Sequence, residues 1–394
     1  MEKENEIKTV VPALRFPEFQ GMIGWEKTYI YEECPNPYSG GTPKTTEKKY
    51  YGGNIPFIRS AEIGKDKTEL SITQEGLNNS SAKMIQKGDL LIALYGANSG
   101  DIAISKIDGA INQAILCLKA KSNNLFIYYT LLKKQKDIVS KYLQGGQGNL
   151  SGEIIKSIDF YIPQKIEQQK IADCLSSLDD LIEATAQKVD ALKEHKKGLM
   201  QRLFSVEGKN VPDLRFPEFQ GGKEWEKKII QDICNITTGN KNTQDKKDNG
   251  KYPFFVRSQK VERIDSWSFD GEAILTAGDG VGVGKIFHYY VGKMGVHQRV
   301  YLLYDIQCNS KYLYYFFSEF FYERVKTMSA KNSVDSVRKD MISDMPLFLP
   351  SSHEQQKIAE CLSSLDELIE ATSRKVEILK EHKKGLMQQL FPKI

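Results

Sequence analysis

Residues 167–204 read EQQKIADCLSSLDDLIEATAQKVDALKEHKKGLMQRLF, and residues 354–391 read EQQKIAECLSSLDELIEATSRKVEILKEHKKGLMQQLF. The two stretches are identical at 31 of 38 positions. In the first copy Ile171, Leu175, Leu178, Ile182, Thr185, Val189, Leu192, Lys196, Leu199 and Leu203 follow one another at alternating steps of four and three residues. In the second copy Ile358, Leu362, Leu365, Ile369, Thr372, Val376, Leu379, Lys383, Leu386 and Leu390 do the same. This 3.5-residue period is the seam of a coiled coil. Neither copy holds a proline, and the single glycine of each, Gly198 or Gly385, falls in the last two turns. Each copy is therefore expected to form one unbroken helix of roughly 57 Å at ~1.5 Å per residue.

Two arguments give the pairing direction. Residues 167–185 carry five acids and one base and residues 186–204 five bases and two acids, and 354–372 and 373–391 repeat these counts. A parallel pair would set acid against acid; an antiparallel pair sets each acidic half against a basic one, and each helix also suits its own macrodipole. The second argument is reach. The segment from Val211 to His353 has 143 residues, and a compact domain of that size is only about 37 Å across. It could not bridge the ~57 Å between the far end of one helix and the near end of a parallel partner. The expected arrangement is antiparallel.

A second repeat marks the start of each unit. VPALRFPEFQG at 11–21, followed by Trp25, returns as VPDLRFPEFQG at 211–221, followed by Trp225. The motif recurs after 200 residues and the helix after 187, so two homologous units differ in the length of their interiors. The expected layout is a domain over 1–166, a helix over 167–204, a domain over 205–353 and a helix over 354–391. Inside the domains IPFIRS (55–60) matches YPFFVRS (252–258), GDLLIALYG (88–96) echoes GEAILTAG (271–278), and Asn112-Gln113 echoes His297-Gln298. Aromatic helical stretches follow at 125–142 and 312–328. Short apolar runs punctuated by Gly and Asn, with a helix or two, predict a mixed α/β (α+β) domain, twice over. Strand order is left open.

The composition, 40% hydrophobic and 27% charged with a net charge of +4, is that of an ordinary globular protein rather than a polycation. Six scattered cysteines (Cys34, Cys117, Cys174, Cys234, Cys308, Cys361) form no CxxC and have no histidine at ligand spacing, which predicts reduced thiols in a cytoplasmic protein and no metal. No signal peptide or membrane span is expected.

Catalytic motifs fail on inspection. GDGVGVGK at 278–285 lacks the glycine five residues before its Gly-Lys and the Ser/Thr after it, so it reads as a tight strand connection rather than a phosphate loop. Asn36-Pro37-Tyr38 lacks one proline of the adenine-methylase signature, and the five histidines make no constellation with Ser, Asp or Glu. Nucleic-acid contacts are the better use of the polar loops at 40–51 and 238–251, since Arg and Asn read base edges while Lys and Thr serve phosphates. The candidate DNA-binding residues are Thr42, Lys44, Lys48, Arg59, Ser60, Gln147 and Asn149 in the first domain, and Asn240, Lys241, Asn242, Arg257, Ser258, Ser333 and Arg338 in the second. A solvated loop with its arginine in a structural ion pair is the plain alternative.

Two unequal domains, each followed by a near-identical helix opening on EQQKIA and each introduced by LRFPEF, resemble the specificity subunit of Type I restriction–modification systems over essentially the whole chain. The resemblance implies a non-catalytic protein whose two variable domains each read one half of a split site in double-stranded DNA. It further implies an antiparallel helical spacer that docks methyltransferase subunits, two of them, and through these restriction/translocase subunits. No cofactor is then expected in this chain; S-adenosylmethionine, ATP and Mg2+ belong to the partner subunits. A coiled-coil scaffold whose domains bind protein is the competing class, and salt-sensitive, sequence-dependent DNA binding separates the two.

Overall fold

The computed structural model describes residues 9–143, 149–205, 209–329 and 336–393. Two 39-residue helices, Lys165–Leu203 and Ser352–Leu390, match the repeated stretches. The chain forms two compact units, and the division cuts both helices near their middles: one unit is Met1–Ala184 with Lys375–Ile394, the other Thr185–Arg374.

Within each unit the helix halves run antiparallel. In the first, Ile171 and Leu175 share a core with Leu390 and Phe391, and further along Asp179 meets Lys383. In the second, Ile358 and Leu362 share a core with Met200, Leu203 and Phe204, and further along Asp366 meets Lys196. All the seam residues named above are buried or half-buried. The two seam lysines are explained by a repeated trio. Lys383 Nζ donates to Asp179 Oδ1 at 2.5 Å, Tyr129 Oη donates to the same carboxylate at 2.8 Å, and the ammonium lies 5.2 Å from the Tyr129 ring centre. Lys196, Asp366 and Tyr315 repeat this at 2.6, 2.7 and 4.8 Å. Burial, with the neighbouring carboxylate, pushes both tyrosine hydroxyls up, so they remain protonated donors. A charged seam residue with one matching partner fixes register and direction better than another leucine would.

The opening motifs fasten each domain to the helices. Arg15 Nε and Nη2 donate to the two oxygens of Glu167 at 2.8 and 2.7 Å, and Arg215 grips Glu354 at 2.7 and 2.8 Å. Lys170 pairs with Glu18, and Lys357 with Glu218. The Leu14 amide donates to the Gln389 carbonyl at the end of one long helix, and the Leu214 amide to the Arg202 carbonyl at the end of the other, both near 2.9 Å. Each motif therefore holds the start of one helix half and the end of the other.

The first unit has an antiparallel sheet in the order Tyr38–Ser39, Ile115–Leu118, Leu90–Ala93, Ile102–Ile104, and a second sheet in the order Leu70–Ile72, Tyr51–Ile58, Gly109–Ile111, Lys83–Ile85 with one parallel pair. The second unit has one six-stranded sheet in the order Asn235–Thr238, Val300–Tyr304, Phe269–Ala277, Phe287–Val296, Tyr252–Phe255, Glu262–Ile264, again with one parallel pair. The difference has a local cause. In the second unit Phe269–Ala277 and Phe287–Val296 pair without a break. In the first, the turn at Gln86–Asp89 interrupts the corresponding ladder: Gly88 sits at φ 93°, and the Gln86 and Lys87 amides are taken by the side chains of Asp89 and Asp108. A two-stranded ribbon closes each unit, Glu26–Tyr29 with Asp159–Ile162 and Glu226–Ile229 with Pro346–Leu349. Helices Asn124–Leu143 and Ser310–Met328 supply the aromatic core, where Trp25 packs on Phe126 and Phe391, and Phe204 on Tyr312 and Phe316.

Candidate nucleic-acid interface

In the second unit, hydrogen bonds draw five strand ends to one place. The His297 amide donates to the Phe255 carbonyl, Gly278 to Arg299, Gly239 to Val300, and Lys241 to Val296. Gly239 is required there, since a Cβ would come within 2.1 Å of the Val296 carbonyl oxygen. The loop after Ala277 bends at Gly280, φ 86°, and its start is held by the Val337 amide, which donates to the Gly278 carbonyl at 2.7 Å. Asn242, Thr243, Arg257, Asp279, Gln298 and Arg299 line the resulting polar cleft of about 350 Å³.

The electrostatics of the cleft centre on Asp279. Arg257 Nη1 donates to Asp279 Oδ1 at 2.7 Å, and Arg299 Nη1 lies 3.3 Å from Oδ2. His297 Nδ1 accepts from the Arg299 amide at 3.0 Å, so its proton sits on Nε2, 3.2 Å from Thr243 Oγ1. Burial, helped by the nearby arginines, pushes the pKa of His297 down and keeps it neutral. Of the residues singled out in the sequence, Asn240, Lys241, Asn242 and Arg257 come together here, with Arg338 following Val337, while the Ser258 hydroxyl is turned to the Lys260 backbone. Ser333 lies outside the described residues.

The first unit repeats the frame with different side chains. Gly40 stands for Gly239, and a Cβ on it would come within 1.8 Å of the Ile111 carbonyl oxygen. Gly96, φ 88°, stands for Gly280, and the Leu150 amide closes the loop on the Leu94 carbonyl at 2.7 Å. Asn112 Oδ1 accepts from the Ala114 amide as His297 does from Arg299. Thr42 Oγ1 donates to Gln113 Oε1 at 2.7 Å, while Lys44, Lys48 and Asn149 are exposed without that anchoring. Gln147 lies outside the described residues.

Strand register changes two of the sequence pairings. Phe57 pairs with Ala110 and Phe254 with Gly295, which sets Ser60, not Arg59, opposite Arg257. Arg59 is instead clasped by two carboxylates, Glu62 and Glu69, and these hydrogen bonds raise its pKa. GDLLIALYG likewise runs two residues further than its sequence echo, Gly96 matching Gly280. Arg299 is not singled out in the sequence, although the Asn112-Gln113/His297-Gln298 echo points at the turn that carries it, and Asp279 enters only as the residue standing where a phosphate loop needs glycine.

Among the described residues no group of His, Cys, Asp or Glu side chains could hold a metal ion, and no helix is long and apolar enough to cross a membrane. The six cysteines are free, and burial pushes the Cys34 and Cys117 thiols up to about 12 and about 11, which keeps both protonated.

The family of Type I restriction modification DNA specificity domains matches residues 22–194 and again residues 222–381. The chain belongs to this family. The family model thus matches twice, once in each half of the chain. The chain is 23% identical over 353 residues to the Type I restriction enzyme MjaVIII specificity subunit of Methanocaldococcus jannaschii, covering 78% of this chain and 79% of that one. It is 29% identical over 169 residues to the EcoDI specificity subunit of Escherichia coli, covering 43% and 37%. Its fold matches the crystal structure of a Type I restriction–modification S subunit from M. genitalium at a TM-score of 0.67 and 16% identity, over 98% of this chain and all of that one.

Proposed function

We propose that this non-catalytic chain selects DNA for a Type I restriction–modification complex, each unit reading one half of a bipartite site. The carrying observation is the repeated frame with exchanged side chains: Arg257, Asp279, His297 and Arg299 in one unit stand where Ser60, Tyr95, Asn112 and Ala114 stand in the other. A shared loop frame carrying different side chains is what reading two different half-sequences requires. The helices set the gap between half-sites and dock two methyltransferase subunits. Those subunits, with restriction/translocase subunits, supply adenine methylation with S-adenosylmethionine and ATP-driven cleavage with Mg2+, in the cytoplasm. Methylation mapping of cells with and without the gene tests this: loss of one bipartite, asymmetric motif is expected, and an unchanged methylation pattern refutes it.

Exchange of Lys44, Lys48 or Lys241 for alanine should weaken cognate and random DNA alike. It should also lower the salt slope by about one unit for each phosphate that is no longer neutralised, read from binding titrations across salt concentrations. Insertion of four residues into both helices lengthens the strut by about 6 Å and turns the domains by roughly 40°. The preferred gap between unchanged half-sites should then increase, measured as methylation of duplexes with graded gaps; an unaltered optimum would place gap selection elsewhere.

A further inference from the structure

We propose that the second unit reads a G·C pair through Arg257 and Arg299, held on Asp279, and that the first unit has no such reader; this rests on the DNA-reading function above. The charges around the two arginine positions differ in sign. In the second unit one carboxylate holds two guanidinium groups, leaving one positive charge in excess at the cleft wall. In the first, Arg59 faces two carboxylates, leaving one negative charge in excess, and the positions matching Arg257, Asp279 and Arg299 are Ser60, Tyr95 and Ala114.

The pair is built to present donors outward. The Asp279 side chain is only 20% exposed, whereas those of Arg257 and Arg299 are 42% and 64% exposed. Each guanidinium carries five N–H donors, and one bond to the carboxylate leaves the rest free to turn to the cleft. The support is stiff. The Arg299 carbonyl is held by the Gly278 amide and its own amide by His297 Nδ1, while the segment reaching Asp279 is pinned by Val337. Two parallel donors fit O6 and N7 of guanine. Adenine offers N7 beside an N6 donor, which sets donor against donor, so a fixed guanidinium rejects it.

The test uses the complex with its methyltransferase subunit, once the motif has been mapped. Duplexes carry guanine, adenine or 7-deazaguanine at each G of the half-site read by the second unit, and binding is compared for the wild type, Arg257→Ala, Arg299→Ala and Asp279→Asn. The wild type should lose about 5- to 150-fold on one such exchange. Both arginine variants should lose a comparable factor on the cognate duplex and no longer separate guanine from 7-deazaguanine there, with discrimination in the other half-site unchanged. Asp279→Asn preserves shape and should melt at the wild-type temperature while losing this discrimination. A second half-site of A·T pairs alone, arginine variants that still discriminate, or variants weakened equally on random DNA would each overturn the assignment. A wild-type complex with no sequence preference overturns the DNA-reading function as well, whereas intact preference with unchanged guanine discrimination in the variants removes this assignment alone.

Discussion

Arg15→Ala should destabilise the first unit by about 3–5 kcal/mol, the usual cost of leaving one partner of a buried ion pair alone. Glu167 is only 1% exposed and takes both guanidinium bonds as well as the indole N–H of Trp25 at 3.2 Å. Without Arg15 the buried carboxylate keeps the indole but loses its counter-charge and two of its hydrogen bonds. Arg15→Lys should recover only part of the loss, because an ammonium cannot span both oxygens. Replacing Arg15 and Glu167 together by Met should be far milder than either single change, since desolvation of the pair offsets most of its Coulombic gain. The second unit supplies a comparison. Glu354 is equally buried, and among the described residues Trp225 Nε1 has no hydrogen-bond partner, so Arg215→Ala strips Glu354 of more of its support and should cost at least as much. Denaturant midpoints of the four variants check this; a midpoint for Arg15→Ala within error of the wild type would show that the clamp does not hold the domain.

The role of this clamp could not be read from the sequence, although both of its halves were conspicuous there. LRFPEF and EQQKIA each stand out as repeats, but only folding brings Arg15 to Glu167 across 152 positions. The long helices were fully legible because their information is local: a 3.5-residue period, no interior breaker and charge halves that pair in one direction only. Lys196 and Lys383 fall on seam positions by spacing alone, but the carboxylates that face them, Asp366 and Asp179, lie 170 and 204 positions away and are set by the fold. Strand order was not legible, since short apolar runs such as LLIA at 90–93 and ILCL at 115–118 are compatible with several partners. The arginines show the same limit at one-residue scale. By letters, Arg59-Ser60 matches Arg257-Ser258, but a single extra residue in YPFFVRS shifts the register, and with it the partner of each guanidinium. Side-chain roles at loop ends depend on that register, which pairing between distant strands sets.

A fragment of residues 1–207 should form a two-fold symmetric dimer that, with the methyltransferase subunit, modifies a palindromic split site built from two copies of the first half-sequence. The first unit as folded is completed by the far half of the second helix: Leu390 and Phe391 are buried beside Trp25 and Phe126, Gln389 accepts the Leu14 amide, and Lys383 meets Asp179. A fragment lacking that helix exposes this surface, and uncovering the Leu390 and Phe391 sites costs about 1.5–3 kcal/mol each. Residues 199–204 of the first helix carry Leu199, Met200, Leu203 and Phe204 where the second carries Leu386, Met387, Leu390 and Phe391, and Lys196 stands for Lys383. The bond made through the Gln389 backbone carbonyl is indifferent to its replacement by Arg202. The far half of one fragment's helix therefore fits the other fragment's domain with almost no change of side chain, and the two such interfaces are related by an isologous two-fold axis. Sedimentation and methylation mapping check the outcome together. A fragment that remains monomeric at concentrations on the order of tens of micromolar, where a complex of about 7 kcal/mol would form, refutes it; so does a dimer that modifies only non-palindromic sites, because two identical domains across a two-fold axis must read two copies of one half-sequence.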